Sequence, residues 1–209
     1  MEKLSTRQRI MQEALTLFAE NGFEAVSVAQ IASAVGIKAP SLYKHFESKQ
    51  HIFDEILLEM QSRYEQKAAS LQMNGMEATK DIAVFSGLDE QQLVEMGKNL
   101  FDYFLHDTFA SKFRRMLTIE QYHSRDLSAL YTKQYLDEPL SYQSLVFGLM
   151  IQAGLLEPED PMLLALHFYA PLFLLLTSCD CHPEREEKAF QMVEQHIRQF
   201  SRLHGKKEL

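Results

Sequence analysis

Two cysteines, eight glycines and six prolines among 209 residues remove several classes of answer at once. Cys179 and Cys181 are too few for a disulfide scaffold. Few turn-forming residues, set against abundant Ala, Leu, Glu, Gln and Met, favour a mostly helical chain over a sheet protein needing many turns. No long apolar run is present: Leu163 to Leu176 is interrupted by His167, Tyr169 and Pro171. A membrane span needs ~20 residues, so this stretch is expected to be a buried helix, with no membrane partner. Met1 to Arg9 is polar and no apolar segment follows it, so no secretory signal is expected and a cytoplasmic location is the default. The sequence has no phosphate loop, G-x-S-x-G elbow, H-E-x-x-H motif or paired-aspartate metal motif. A helical enzyme therefore has no positive support, and no cofactor is implied. Cys179-Asp180-Cys181-His182 lacks both the second half of a tetrahedral site and the usual C-x₂-C spacing, so no metal is expected there.

The formal net charge of −8 argues at first against nucleic acid as a partner. Its distribution changes that argument. Residues 1–51 hold Lys3, Arg7, Arg9, Lys38, Lys44 and Lys49 against five acids, a balance of +1, while residues 52–209 carry −9. Phosphate binding follows local potential and not the charge of the whole chain.

Helical periodicity recurs nearly everywhere. Ile10, Ala14, Leu17 and Phe18 form one apolar stripe, which Asn21-Gly22 ends. Ser27 followed by Gln30 is a capping-box pattern opening a second helix, with Val28, Ile31, Ala32 and Val35 inward and Gly36 as its stop. A short third helix carries Pro40 in its first turn, where a missing N–H is harmless. Ser48 caps a fourth, whose stripe is Phe53, Ile56, Leu57 and Met60. Leu71 to Gly87 has weak periodicity and reads as a loop or frayed end. Further helices are expected near 89–106, 109–123, 127–136, 139–153, 161–178 and 184–203.

Ser27 to Phe46, SVAQIASAVGIKAPSLYKHF, has the form of a helix-turn-helix, whose second helix enters the DNA major groove. Ala32 is small where two helices cross, Gly36 permits the tight turn, and Ile37 and Leu42 pack the second helix onto the first. Lys38, Ala39, Pro40, Ser41, Tyr43, Lys44 and His45 remain for DNA. Lys38, Tyr43, Lys44, His45 and the following Lys49 have the reach and chemistry for phosphate oxygens. Ser27 and its helix N-terminus offer another phosphate site. Ala39, Pro40 and Ser41 face base edges, with methyl contacts and at most one hydroxyl hydrogen bond.

Ala19-Glu20-Asn21-Gly22-Phe23, Ser27-Val28, Ile31-Ala32, Val35-Gly36-Ile37, Leu42-Tyr43-Lys44-His45-Phe46 and Ser48-Lys49, in that order and spacing, resemble the tetracycline-repressor (TetR) family over residues 6 to 53. The resemblance implies an all-α homodimer. Each subunit would have a three-helix DNA-binding domain (residues 1–53), joined by a long helix to a larger helical domain for ligand binding and dimerisation (residues 54–209). It implies a palindromic double-stranded DNA operator and a small-molecule effector. Tyr43, His45, Lys49 and Thr6 match positions that contact phosphates. Lys38-Ala39-Pro40 departs from the family's usual serine or threonine followed by a small residue, which puts ordinary base readout in doubt.

Beyond residue 54 only the architecture carries over. The last two helices would pair with their twofold mates, and Phe190, Val193, Ile197 and Phe200 form a narrow stripe at coiled-coil spacing for that interface. The preceding helix is apolar on nearly all sides, more than one subunit's core needs, and Pro171 should kink it. The aromatic and methionine-rich middle, with Phe104, Phe113, Met116, Tyr122 and Phe147 beside the polar His123 and His167, is the expected lining of an effector cavity for an apolar or aromatic ligand. A repressor released by that ligand is one reading. A ligand-independent DNA-binding or architectural regulator is the other.

Overall fold

Three helices begin with the same reciprocal device. In the computed structural model, which describes residues 4–206, Ser5, Ser27 and Asp89 each accept the backbone N–H of a glutamine three residues on. The side-chain oxygens of Gln8, Gln30 and Gln92 accept the N–H of the capping residue in return. Each box satisfies two amide donors that a helix start otherwise leaves open.

The helices are α1 (Thr6–Asn21), α2 (Val28–Val35), α3 (Ala39–Leu42), α4 (Lys49–Ser70), α5 (Ala78–Ser86), α6 (Glu90–His106), α7 (Thr108–Glu120), α8 (Arg125–Thr132), α9 (Glu138–Gln152), α10 (Pro161–Cys181) and α11 (Glu186–His204). Among the described residues no strand forms, and an isolated antiparallel bridge joins Leu156 to Gly205. The all-helical expectation holds. Lys3, counted in the basic balance, lies outside the described residues.

Two compact units emerge: residues 1–64 with 108–131, and residues 65–107 with 132–209. The N-terminal helices thus share their unit with α7, a grouping that a division at residue 53 does not contain. In that first unit α1 packs along α7. Ile10, Ala14, Phe18, Ile31, Leu42, Ile52, Ile56, Phe113, Met116 and Leu117 are essentially free of solvent. Phe18, Phe23, Phe53 and Phe113 run as a chain of ring contacts with centroids 5.1, 5.2 and 6.4 Å apart.

The second unit has two hydrophobic clusters. One joins α6 to α11 through Val94, Phe101, Val193 and Ile197, and the other joins α9, α10 and α11 through Phe147, Leu164 and Phe200. Gly97 lies under the Ile197 side chain, so α6 and α11 meet where the absence of a Cβ permits it. Arg198 holds the same seam, donating to Glu90, Gln91 and Glu194.

Three local expectations change. Leu71 to Gly87 is not a loop throughout, because α5 forms inside it. The Asp81 carboxylate is buried and accepts from Asn74 N (2.6 Å), Gly75 N (2.8 Å) and the Tyr142 hydroxyl (2.6 Å), which fixes the segment through partners that periodicity does not reveal. The helices expected at 127–136 and 139–153 are joined by a π-helical segment, Lys133–Asp137. Pro139 has no N–H to give the Tyr135 carbonyl four residues back, and the Tyr169 hydroxyl donates to that carbonyl instead, at 2.8 Å. Finally, α10 extends to 21 residues and is long and apolar enough to cross a membrane by length and composition. It is not the buried helix expected, since Met162, Leu163, Leu166 and Leu174 are exposed while Leu164, Ala165, Leu176 and Cys179 face the core.

Candidate nucleic-acid interface

The helix-turn-helix is held at the ends of its helices. The Ser27 hydroxyl and Gln30 close the start of α2. Gly36, at φ 78° and ψ 32°, takes the left-handed position that ends it, and Ile37 N–H donates back to Ala32 O at 2.9 Å. Two guanidiniums then hold backbone carbonyls, one at the end of α2 and one in the turn after α3. Arg9 donates to Val35 O at 2.6 Å. Arg7 donates to His45 O at 2.7 Å, pairs with Glu55 at 2.9 Å and lies over the Phe46 ring. Cations at helix C-termini complement the carbonyl dipoles there. Both arginines of the basic segment are therefore committed to protein carbonyls, which their sequence positions did not disclose.

What α3 turns outward is short and mixed. Leu42 is fully buried, fixing the helix's rotation, while Lys38, Pro40, Tyr43 and Lys44 are exposed and Ala39, Ser41 and His45 are half-buried. Tyr43 is 53% exposed, unusual for an aromatic with no burial role and suited to a phosphate-contacting hydroxyl. Thr6, the first residue of α1, is half-buried, and Ser27 is exposed at the start of α2.

Lys49 differs from the expectation. Its ammonium donates to Phe23 O at 2.7 Å and Glu24 O at 3.3 Å, and lies 4.4 Å from the centre of the Phe23 ring. A second group near that turn was missed altogether. Glu120, 96 residues away from Glu24, is 2% exposed, and its Oε1 accepts Glu24 N–H at 3.4 Å. No local pattern announces a contact of that sequence separation.

The expected effector lining does not converge. Phe113 and Met116 are core residues of the first unit, Tyr122 is 84% exposed, and His123 is exposed with its ring on Ile119 O. In the second unit Phe104 packs on the α6–α11 cluster, Phe147 belongs to the other cluster, and the exposed His167 meets His204 at 3.2 Å. A groove of about 470 Å³ is lined by Gln91, Val94, Glu95, Lys98, Asn99, Asp102 and Phe190. A smaller one, about 240 Å³, lies between α10 and α11. None of the seven lines either groove. Phe104, Phe113, Met116 and Phe147 do face inward, into different cores, while Tyr122, His123 and His167 face solvent.

The expected dimer stripe also faces inward. Val193 and Ile197 are buried against α6, Phe190 packs on the same cluster, and Phe200 is buried against Phe147 and Phe168. The opposite side of α10 and α11 carries the exposed apolar groups: Leu163, Leu166, Leu174, Met192 and Leu203.

Residues 10–56 match the family model described as bacterial regulatory proteins, tetR family. The repressor KstR2 of Rhodococcus jostii is 49% identical over 55 residues, a match spanning 26% of this chain and only 27% of that protein. A TetR-family regulator from Pseudomonas syringae pv. tomato superposes over 96% of this chain and 97% of its own, with TM-score 0.65 and 20% identity. SmeT of Stenotrophomonas maltophilia, solved with triclosan, superposes over 98% of this chain and 93% of its own, with TM-score 0.67 and 15% identity.

Proposed function

We propose, from the match of residues 10–56 to the tetR family of bacterial regulatory proteins, that the chain is a cytoplasmic, homodimeric transcriptional repressor of that family, released from a palindromic operator by a small apolar or aromatic ligand. The observation that carries the reading is the outward face of α3. Lys38, Pro40, Tyr43 and Lys44 point to solvent from α3 and the residues flanking it, with buried Leu42 setting the rotation, the Gly36 turn leading in and Arg7 holding His45 beyond. In this reading Tyr43, Lys44, His45, Lys38, Thr6 and the N-terminus of α2 meet phosphates, which sets register. Ala39, Pro40 and Ser41 meet base edges, with thymine methyl groups as the natural partners of the first two.

A second copy of the chain is the partner best suited to the exposed side of α10 and α11. Leu163, Leu166, Leu174 and Met192 form an apolar face beside Gln195 and Gln199, and monomers rarely leave such faces to water. To read two half-sites, the α3 helices of such a pair would have to lie about 34 Å apart, one turn of DNA. A ligand that favours a different spacing would shift the population away from DNA. The triclosan complex of SmeT supports an aromatic effector as the first class to try. A ligand-independent regulator is the second reading, and a ligand-dependent rise in melting temperature separates the two.

The test is fluorescence anisotropy with the DNA flanking the chain's own gene, at several salt concentrations. Specific, steeply salt-dependent binding by two subunits per site supports the repressor. Affinity no higher than for random DNA, at low salt as well, overturns it.

A further inference from the structure

The turn between α1 and α2 is built around one peptide group. Phe23 is buried on Phe18 and Phe53, and the peptide that joins it to Glu24 meets opposite charges at its two ends. Its carbonyl, Phe23 O, accepts from Lys49 Nζ of α4, and its N–H, on Glu24, donates to the Glu120 carboxylate of α7. An ammonium on the oxygen and a carboxylate on the amide lie along the peptide dipole in its favoured sense. The arrangement is enclosed on its acidic side. Glu120 is buried, and its second oxygen, Oε2, is also buried with no hydrogen-bond partner among the described residues. A carboxylate in such a place is unfavourable unless its contacts need it. The neighbouring Gly22 depends on it too: a Cβ there would fall 2.5 Å from Glu120 Oε1, at a φ of +84° that side-chain-bearing residues rarely adopt.

Ser27, the cap of α2, follows three residues after Glu24. Whatever fixes the peptide therefore fixes where α2 begins, and α3 is packed on α2.

We propose that Glu120 and Lys49 act as an opposite-charge clamp on the Phe23–Glu24 peptide, and that both are positioning residues for DNA binding. Lys49 works by holding this turn and does not work by meeting a phosphate. The inference rests on the DNA-binding reading above.

The test uses the full-length protein and a duplex that the wild type selects from a random-sequence library. In the free protein, amide exchange of Glu24 followed by NMR should speed up by about tenfold in Glu120→Ala, the size of one hydrogen bond to a charged group. Glu120→Gln, which keeps an acceptor, should restore most of the protection. On DNA, Glu120→Ala should bind more weakly although it removes a negative charge from an acidic protein, the reverse of a bulk electrostatic effect. Lys49→Ala should also bind more weakly, with the slope of log K against log salt unchanged. A slope reduced by about one would make Lys49 a phosphate contact after all and overturn its part. An unaltered Glu24 amide, or tighter DNA binding, in Glu120→Ala would overturn the clamp. Should Glu120→Ala fail to fold, Glu120→Gln and Lys49→Ala decide by the same two readouts. If the wild type selects no duplex, the DNA-binding reading fails, and the Glu24 amide still decides whether the clamp exists.

Discussion

Gly22 and Gly36 both hold a positive φ, yet alanine should have different consequences at the two positions. At Gly36 the backbone is left-handed, with φ 78° and ψ 32°, and a Cβ would meet nothing within 4 Å. Only the conformation opposes alanine there, about 1 kcal/mol. At Gly22 φ is 84° and ψ 156°, a region nearly closed to other residues, with a conformational cost of about 1–3 kcal/mol. The new methyl would also lie 2.5 Å from Glu120 Oε1 and 3.5 Å from Ile119 Cγ2. The carboxylate is the end of a flexible side chain, but it is buried, so moving it surrenders the hydrogen bond from Glu24, about another 1.5 kcal/mol. Gly22→Ala should therefore destabilise by about 3–4 kcal/mol, and Gly36→Ala by about a third of that. Urea unfolding followed by circular dichroism measures both, provided the slope m is unchanged. In a Glu120→Ala background the Gly22→Ala loss should shrink by about 1.5 kcal/mol, a coupling between touching groups. Equal losses at the two glycines would refute the reasoning, as would a Gly22→Ala loss indifferent to residue 120.

Four further outcomes follow from other contacts. The His106 imidazole accepts company from Asp102 (2.9 Å) and Glu186 (3.1 Å), and the bond to Asp102, more than the one to Glu186, raises its pKa above the ordinary 6.5. Its stabilising contribution is therefore complete below pH 6.5 and lost as pH rises through the raised value, so the unfolding midpoint gap between wild type and His106→Gln should close as the pH is taken upward from 6.5; a constant gap would refute the link. Asp81→Ala removes the acceptor shared by Asn74 N, Gly75 N and the Tyr142 hydroxyl and should cost about 3 kcal/mol, against about 1 for Tyr142→Phe, both by urea unfolding. Leu174→Glu, on the exposed apolar face, should yield monomers in sedimentation without loss of helix signal, whereas Phe200→Asp should unfold the second unit; a dimeric Leu174→Glu would move the interface elsewhere. Lys44→Ala should weaken binding to all DNA sequences alike and lower the salt slope by about one.

The first sixty residues were legible because their signals are local. Capping boxes, the Gly36 turn and the stripe of Ile31, Ala32 and Val35 act between residues a few positions apart, and the structure has each of them. Helix existence in the remainder was legible for the same reason, α5 excepted, because partners distant in sequence fix it. What periodicity gives is which side of a helix is apolar, and it is silent on what that side meets. Val193, Ile197 and Phe200 show this: the stripe is real, but α6, α9 and α10 of the same chain cover it. Tyr122 shows the converse: expected inside a helix running to 123, it lies in the turn after α7 and is almost wholly exposed. Arg7, Arg9 and Lys49 are basic by sequence, and only the positions of Val35, His45 and Phe23 reveal that carbonyls engage them. Glu120 lies beyond any local rule, since its role exists only once α7 is packed on α1.

The proline at 139 and the tyrosine at 169 make one helix depend on a side chain of another, with 34 residues between the bonded carbonyl and its donor. That dependence gives the pair an order of ancestry. A tyrosine arriving first at 169 finds the Tyr135 carbonyl already bonded by an ordinary backbone amide, and its hydroxyl is a spare. Proline can then replace residue 139 with a donor waiting. In the opposite order an ancestor would have lost the backbone donor at 139 before the tyrosine hydroxyl was there to replace it, a handicap of about 1 kcal/mol. Homologues with proline at 139 should therefore keep a donor at 169, while those with tyrosine at 169 are free to carry any residue at 139.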